Sequence, residues 1–195
     1  MDVVAVLITG GARSGKSRFA EQLAAHRYKR GIYIATSEAL DQEMADRIAK
    51  HQAERAQSGF SWQTLEEPLH LSEALHKLAT GQQTDMEQTV VLVDCLTLWL
   101  SNWFFMLDVE HQGSSKLHAV VLALAEQVRN YPYPLIIVSN ELGDGIVPAD
   151  ALSRSYRDEA GRLNQAIAEH CEQVFLVTAG IPVDLKRIAY RWEEQ

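Results

Sequence analysis

The sequence predicts an α/β fold, a three-layer sandwich in which helices cover a mostly parallel central sheet. Three observations predict it. The run Val3-Val4-Ala5-Val6-Leu7-Ile8 is apolar and β-branched, as suits a buried parallel strand. It leads into Gly10-Gly11-Ala12-Arg13-Ser14-Gly15-Lys16-Ser17, which fits the phosphate-loop pattern G-x-x-x-x-G-K-[ST] at every fixed position, with a helical pattern over residues 18–29. Further on, apolar runs of strand length alternate with helical patterns.

Strand, glycine loop and helix are the setting that a phosphate loop requires. The glycines let successive backbone N–H groups turn inward, and the loop opens onto a helix N-terminus, so donors and dipole both face a polyphosphate. Lys16 is then expected to reach the β/γ-phosphates and Ser17 to offer its hydroxyl to Mg²⁺. The alternative is a plain glycine-rich turn.

A length of 195 residues, 47% hydrophobic and 23% charged, suits one soluble domain, and residues 1–195 are expected to form a single P-loop nucleotide-binding domain. The formal charge of −8 argues against a nucleic-acid surface. The apolar start is too short for a stable membrane span and lacks the features of a signal peptide, so the expected location is cytoplasmic. Cys95 and Cys171 form no C-x-x-C and no Cys/His cluster. They are expected to be buried small residues rather than a disulfide or zinc site.

The second strand, residues 32–35, ends in Thr36-Ser37-Glu38. Ligands of parallel sheets bind outside the carboxyl ends of strands, so these three are expected to face the nucleotide; a plain turn is the alternative. Asp41 is read as the cap of a polar helix running to Gln57. On it Met44, Ile48, His51 and Arg55 share one face, so an apolar stripe turns polar at His51. A half-buried surface histidine is the default reading and a catalytic one the alternative. Arg55, one turn beyond, suggests an anion near both. Residues 60–64 read as extended, Pro68 opens a helix over residues 70–79, and Glu66 and Glu67 are either contacts to a base or ribose or merely solvated charges.

Thr89-Val90-Val91-Leu92-Val93-Asp94 is a central strand ending in an acid, the pattern that holds Mg²⁺ through water in phosphate-loop proteins. Residues 95–107 carry Trp99, Trp103, Phe104 and Phe105, too dense for one amphipathic face, and some of the run is expected to be buried between chains. Residues 111–115 read as a flexible loop. A helix over 116–130 follows, then a strand over 135–138 ending in Ser139-Asn140-Glu141, a two-glycine loop over 142–148, and a charged helix over 153–169. The last strand is residues 174–177. Thr178 to Pro182 then turns the chain into a short C-terminal helix. The expected fold is therefore a P-loop NTPase-type sandwich, RecA-like in kind.

Taken in order, these segments resemble the bifunctional adenosylcobinamide kinase and adenosylcobinamide-phosphate guanylyltransferase family of cobalamin biosynthesis. The residues that carry the resemblance are Thr9 to Ser17, Tyr33 to Ser37, Asp46-Arg47-Ile48 with His51 and Arg55, Trp62 to Pro68, and Asp94 to Asn102. Val138 to Gly143, Gly145 to Pro148, Arg157-Asp158 and Ala179 to Pro182 complete them. The resemblance implies two reactions. The terminal hydroxyl of the aminopropanol arm of adenosylcobinamide receives the γ-phosphoryl group of ATP or GTP; the resulting phosphate then takes GMP from GTP, giving adenosylcobinamide-GDP and pyrophosphate.

It also implies that GMP is first carried on a histidine, here matched by His51. A neutral imidazole is a competent nucleophile, and Lys16 and Mg²⁺ would stabilise the leaving group. The nucleotide contacts it implies are Gly10, Gly11, Ala12, Arg13, Ser14, Gly15, Lys16 and Ser17 in the loop, Thr36, Ser37 and Glu38, Gln52, Ala53, Glu54 and Arg55, and Glu66 and Asp94. The metal contacts are Ser17 and Asp94, partly through water, and the implied assembly is a homotrimer. Two competing readings are a small-molecule kinase that uses only the loop and Asp94, and a GTPase switch. The chain lacks the Asn-Lys-x-Asp guanine box of the switch.

Overall fold

In the computed structural model the described residues are 5–38, 42–81, 85–107 and 114–191. Asp41, the side chains of Met44 and Arg47, and residues 111–113 of the expected loop lie outside them. Seven strands form one sheet: β1 (Ala5–Thr9), β2 (Arg30–Ala35), β3 (Ser61–Glu66), β4 (Thr89–Asp94), β5 (Leu135–Val138), β6 (Gln173–Thr178) and β7 (Ile181–Asp184). The helices are α1 (Lys16–Arg27), α2 (Gln42–Gln57), α3 (Leu71–Thr80), α4 (Leu96–Met106), α5 (Ser114–Arg129), α6 (Ala151–Glu169) and α7 (Leu185–Ile188).

The strand order is β3-β2-β4-β5-β1-β6-β7, parallel except where β7 pairs antiparallel with β6. Successive side chains of the inner strands enter opposite cores. Val6 and Ile8 join Ala20, Leu23 and Ala24 of α1 on one face, whereas Ala5 and Leu7 join α3, α4, α5 and α6 on the other. With both faces covered, β4 needs no polar side, and Val90, Val91, Leu92 and Val93 are all at most 1% exposed. Cys95 and Cys171 are free and buried, as expected. Burial pushes the Cys171 thiol up to about 12, which keeps it protonated.

Strand β5 lies between β1 and β4, so one strand separates the glycine loop from Asp94. The register then sets the site: Ile8 pairs with Val138, Val138 with Asp94, and Asp94 with Ala35. Four strands thus end level, along one edge.

One element differs from expectation. Ile181 and Pro182, expected within the turn over residues 178–182, belong to the edge strand β7, which follows a tight turn in which Ala179 and Gly180 take φ of 52° and 78°. Pro182 argued against a strand, but an edge position asks less of its missing N–H. The aromatic run is mostly core of this chain. Trp99 and Phe104 are 1% and 2% exposed, and the indole N–H groups of Trp99 and Trp103 both donate to the Leu69 carbonyl, at 2.8 and 2.9 Å. The run was too dense for one face because α4 is packed on two sides, by the segment before α3 and by Tyr156 of α6, whose ring lies 5.5 Å from that of Phe104. Phe105 and Met106, 70% and 52% exposed, are what remain for a contact between chains. Among the described residues no helix is long and apolar enough to cross a membrane.

Replacing Trp99 by Ala is expected to cost about 3–5 kcal/mol, from lost burial and the cavity left behind. Urea unfolding would read this as a lower midpoint with little change in slope, and an unchanged midpoint would show that Trp99 does not anchor α4.

Candidate active site

The glycine loop is shaped by backbone that few residues can adopt. Gly10, Arg13 and Gly15 take φ of 152°, 56° and 96°. A Cβ on Gly10 would fall 2.4 Å from the Val177 carbonyl oxygen, so β6 itself demands glycine there. The loop is tied by Ser14 N donating to Gly11 O at 3.3 Å, by Gly180 N donating to Ser14 O at 2.9 Å, and by Phe19 N donating to Gly15 O at 2.9 Å. The Ser14 hydroxyl is buried without a hydrogen-bond partner among the described residues. Lys16 opens α1 with 8% of its surface exposed, its ammonium donating to the Gly11 carbonyl at 3.0 Å.

Lys16, Ser17, Ser37, Ile48, His51 and Asp94 line one cavity of about 150 Å³, together with Tyr33, Cys95, Leu98 and Asn140. The register brings Asp94 level with the loop, and α2 lays Ile48 and His51 across the opening.

The site is electrostatically dense. Burial pushes the Asp94 carboxyl up, while hydrogen bonds from Ser17 and Tyr33 and the charge of Lys16 pull the other way. The Tyr33 hydroxyl donates to Asp94 Oδ2 at 3.1 Å, and burial with the neighbouring Asp94 charge drives that phenol upward. His51 Nδ1 lies 3.6 Å from Glu54 Oε2 on the same helix.

Not every expected contact faces the cavity. Gln52, Ala53 and Glu54 are exposed on α2, Glu38 is exposed after β2, and Glu66 is exposed at the end of β3. Thr36 is fully buried: its hydroxyl donates to Cys95 O at 2.7 Å and accepts from Cys95 N at 2.8 Å. In this structure Thr36 therefore supports the turn after Asp94 rather than facing a ligand, because its position beside β4 satisfies both functions of its hydroxyl. Arg55, expected beside His51 with an anion, is instead tucked beneath α2. Its guanidinium carbon sits 3.6 Å from the Tyr33 ring centre, and its Nη1 lies 3.7 Å from Glu21 Oε1. A cation shut away from water takes whatever partners the interior offers. Burial in turn pushes Glu21 up, against the pull of Arg55.

Sequence reasoning missed Tyr33 and Glu21. The available signal was Tyr33 itself, an aromatic with a polar tip inside an apolar strand. Asn140 was noted only as a polar strand end. Its amide donates to Thr97 Oγ1 at 2.6 Å, and its carbonyl accepts from Asn164 Nδ2 at 3.0 Å, which ties α4 and α6 to the end of β5.

Residues 6–185 match the family described as cobinamide kinase / cobinamide phosphate guanyltransferase. The chain belongs to this family. Among curated relatives, it is 48% identical over 180 residues to the bifunctional adenosylcobalamin biosynthesis protein CobP of Pseudomonas aeruginosa, covering 92% of this chain and 96% of that one. It is 38% identical to the bifunctional adenosylcobalamin biosynthesis protein CobU of Escherichia coli K12, and 37% to that of Salmonella typhimurium, over 93% of this chain and 99% of each relative. As a family member the chain is a bifunctional enzyme of cobalamin biosynthesis, a cobinamide kinase and guanyltransferase. Among solved structures, the ATPase EscN of the enteropathogenic Escherichia coli type III secretion system matches with a TM-score of 0.57 at 9% identity. That match covers 95% of this chain but only 44% of EscN, and it shows the fold alone.

Thr36→Val keeps the shape but removes both bonds to Cys95. A loss of about 1–3 kcal/mol in unfolding free energy is expected, since the buried Cys95 N–H loses its acceptor, while the Cys95 carbonyl keeps the Trp99 N–H at 3.2 Å. Unchanged stability with weakened nucleotide binding would restore Thr36 as a ligand contact.

Proposed function

We propose that the chain phosphorylates the terminal hydroxyl of the aminopropanol arm of adenosylcobinamide with ATP or GTP. It then transfers GMP from GTP through a covalent bond to His51. The observation that carries this reading is the shared cavity: His51 faces the same space as Lys16, Ser17 and Asp94. A triphosphate with its β- and γ-phosphates in the loop would present its α-phosphorus toward α2. The buried, unpartnered Ser14 hydroxyl is a further donor on the loop side.

In the first half of guanylyl transfer an imidazole nitrogen of His51 forms a bond to the α-phosphorus of GTP. The bond from that phosphorus to the α–β bridging oxygen breaks, and its electron pair leaves with pyrophosphate. The charge of Glu54, whose Oε2 lies 3.6 Å from Nδ1, favours the proton on that nitrogen and so supports Nε2 as the attacking atom. In the second half an oxygen of adenosylcobinamide phosphate attacks the same phosphorus and the imidazole departs. Two displacements let one site handle one partner at a time. Lys16 stabilises charge on the departing pyrophosphate.

Mg²⁺ fits the donors present. Ser17 and Asp94 offer hard oxygen ligands side by side, hydrogen-bonded to each other, and would hold the ion together with water and phosphate oxygens, Asp94 partly through water. When bound, the ion supplies Lewis-acid stabilisation of phosphate charge. Glu66, free at the end of β3, is read as accepting from the guanine N1 and N2 donors. Glu66→Gln is then expected to relax the preference for GTP over ATP in the transfer step, and competition assays showing unchanged preference would remove that role. The exposed Phe105 and Met106 support the homotrimer that the resemblance implies.

Incubation of wild type and His51→Ala with Mg²⁺ and α-labelled GTP, without corrinoid, tests the covalent step. Denaturing electrophoresis before and after mild acid is expected to show acid-labile label on wild type alone. Label on neither protein would favour a kinase using only the loop and Asp94, and label on both would place the nucleophile elsewhere.

A further inference from the structure

Among the described side chains of α2, Arg55 is the one that is buried, at 5% exposure. A helix is ordinarily seated by an apolar stripe. Here Ile48 is only half-buried, and the deepest anchor is a cation. That cation lies over an aromatic face, with 3.6 Å between its central carbon and the Tyr33 ring centre. The ring is itself fixed from two sides. Trp62 meets it edge-on at 6.0 Å, and its hydroxyl donates to Asp94 Oδ2 at 3.1 Å. One side chain thus joins the helix that carries His51 to the carboxylate at the end of β4.

We propose that Tyr33 is a positioning residue for guanylyl transfer: its ring, stacked on Arg55, seats α2 so that His51 faces the glycine loop. The proposal rests on the reading of His51 as nucleophile. Its physical basis is that a guanidinium stacked on an aromatic face out of water is held more strongly than at an exposed site, and that the planar pair has a defined geometry. Ion pairing to Glu21 neutralises Arg55, yet a carboxylate on α1 does not define the tilt of α2 as a flat ring does. The hydroxyl and the ring of Tyr33 therefore do separate things: the hydroxyl serves Asp94 and with it both reactions, whereas the ring serves α2 and guanylyl transfer.

Tyr33→Phe and Tyr33→Leu separate them, since the first keeps the ring and the second keeps only apolar bulk. In the protein without nucleotide, amide hydrogen exchange in residues 42–57 is expected to match wild type in Tyr33→Phe. In Tyr33→Leu it is expected to rise by about tenfold, while β1 and β4 stay protected and so report an intact fold. At saturating nucleotide, Tyr33→Phe is expected to slow kinase and self-guanylylation together. Tyr33→Leu is expected to lower the ratio of guanylylation to kinase rate by a further factor of about ten.

Equal exchange of α2 in all three proteins would overturn the proposal. So would a ratio that falls as far in Tyr33→Phe as in Tyr33→Leu, which would place the effect in the hydroxyl. Should wild type take no label from GTP, the nucleophile reading fails on its own, and the exchange comparison still decides whether Tyr33 seats the helix.

Discussion

The parallel hydrogen-bond ladder that levels Ile8, Val138, Asp94 and Ala35 is the constraint on which the rest of the structure depends. A shift of one residue between β4 and β5 would move Asp94 away from Ser17 and turn every side chain of β4 to the wrong core. Because both cores are apolar and filled, that slip is costly. The sheet edge therefore holds the glycine loop, the acid and the turn after β2 in fixed relation before any ligand arrives. The hydrogen bonds of Thr36 to Cys95, and of Asn140 to Thr97, extend this order from the strands into the turns.

On that rigid edge sits a helix of different character. Strands β1 and β4 are held by burial over their whole length, whereas α2 is polar and keeps most of its described side chains in water. Among its described side chains the most buried is Arg55, whose partners are aromatic and charged. On the proposed reading of His51 as nucleophile, transfer in two steps asks the histidine to approach one phosphorus and then admit a second substrate, which a helix locked into the core would resist. Among the described residues, Arg55, Tyr33 and Glu21 give the helix a definite seat.

Much of the fold was legible because its signals are local. Residues 89–94 and 135–138 read as strands to the residue, since a run buried on both faces is apolar throughout. The glycine loop was legible because its geometry demands glycine at Gly10 and Gly15, and β4 could be recognised by the acid that ends it. Strand β7 was not legible, because Pro182 mimics a turn and pairing across Ala179-Gly180 is a tertiary fact. For the aromatic run of α4, density of apolar residues does not say whether the covering surface belongs to the same chain, and within this chain it is Trp99 and Phe104 that are covered. At the site, His51 and Arg55 shared a helical face in the sequence, as they do in the fold. What one sequence could not show was that Arg55 finds its partners on β2 and α1, so that the arginine anchors the helix while the histidine faces the cavity.

On the proposed reading, the glycine loop and His51 address one nucleotide at the same time. Its most direct test is a crystal structure with Mg²⁺ and a GTP analogue whose α–β bridge cannot be cleaved. The β- and γ-phosphates are expected within the loop formed by Gly10 to Ser17, and an imidazole nitrogen of His51 about 3–3.5 Å from the α-phosphorus, opposite the bridging atom. A triphosphate seated in the loop with His51 turned away from the α-phosphorus would contradict it.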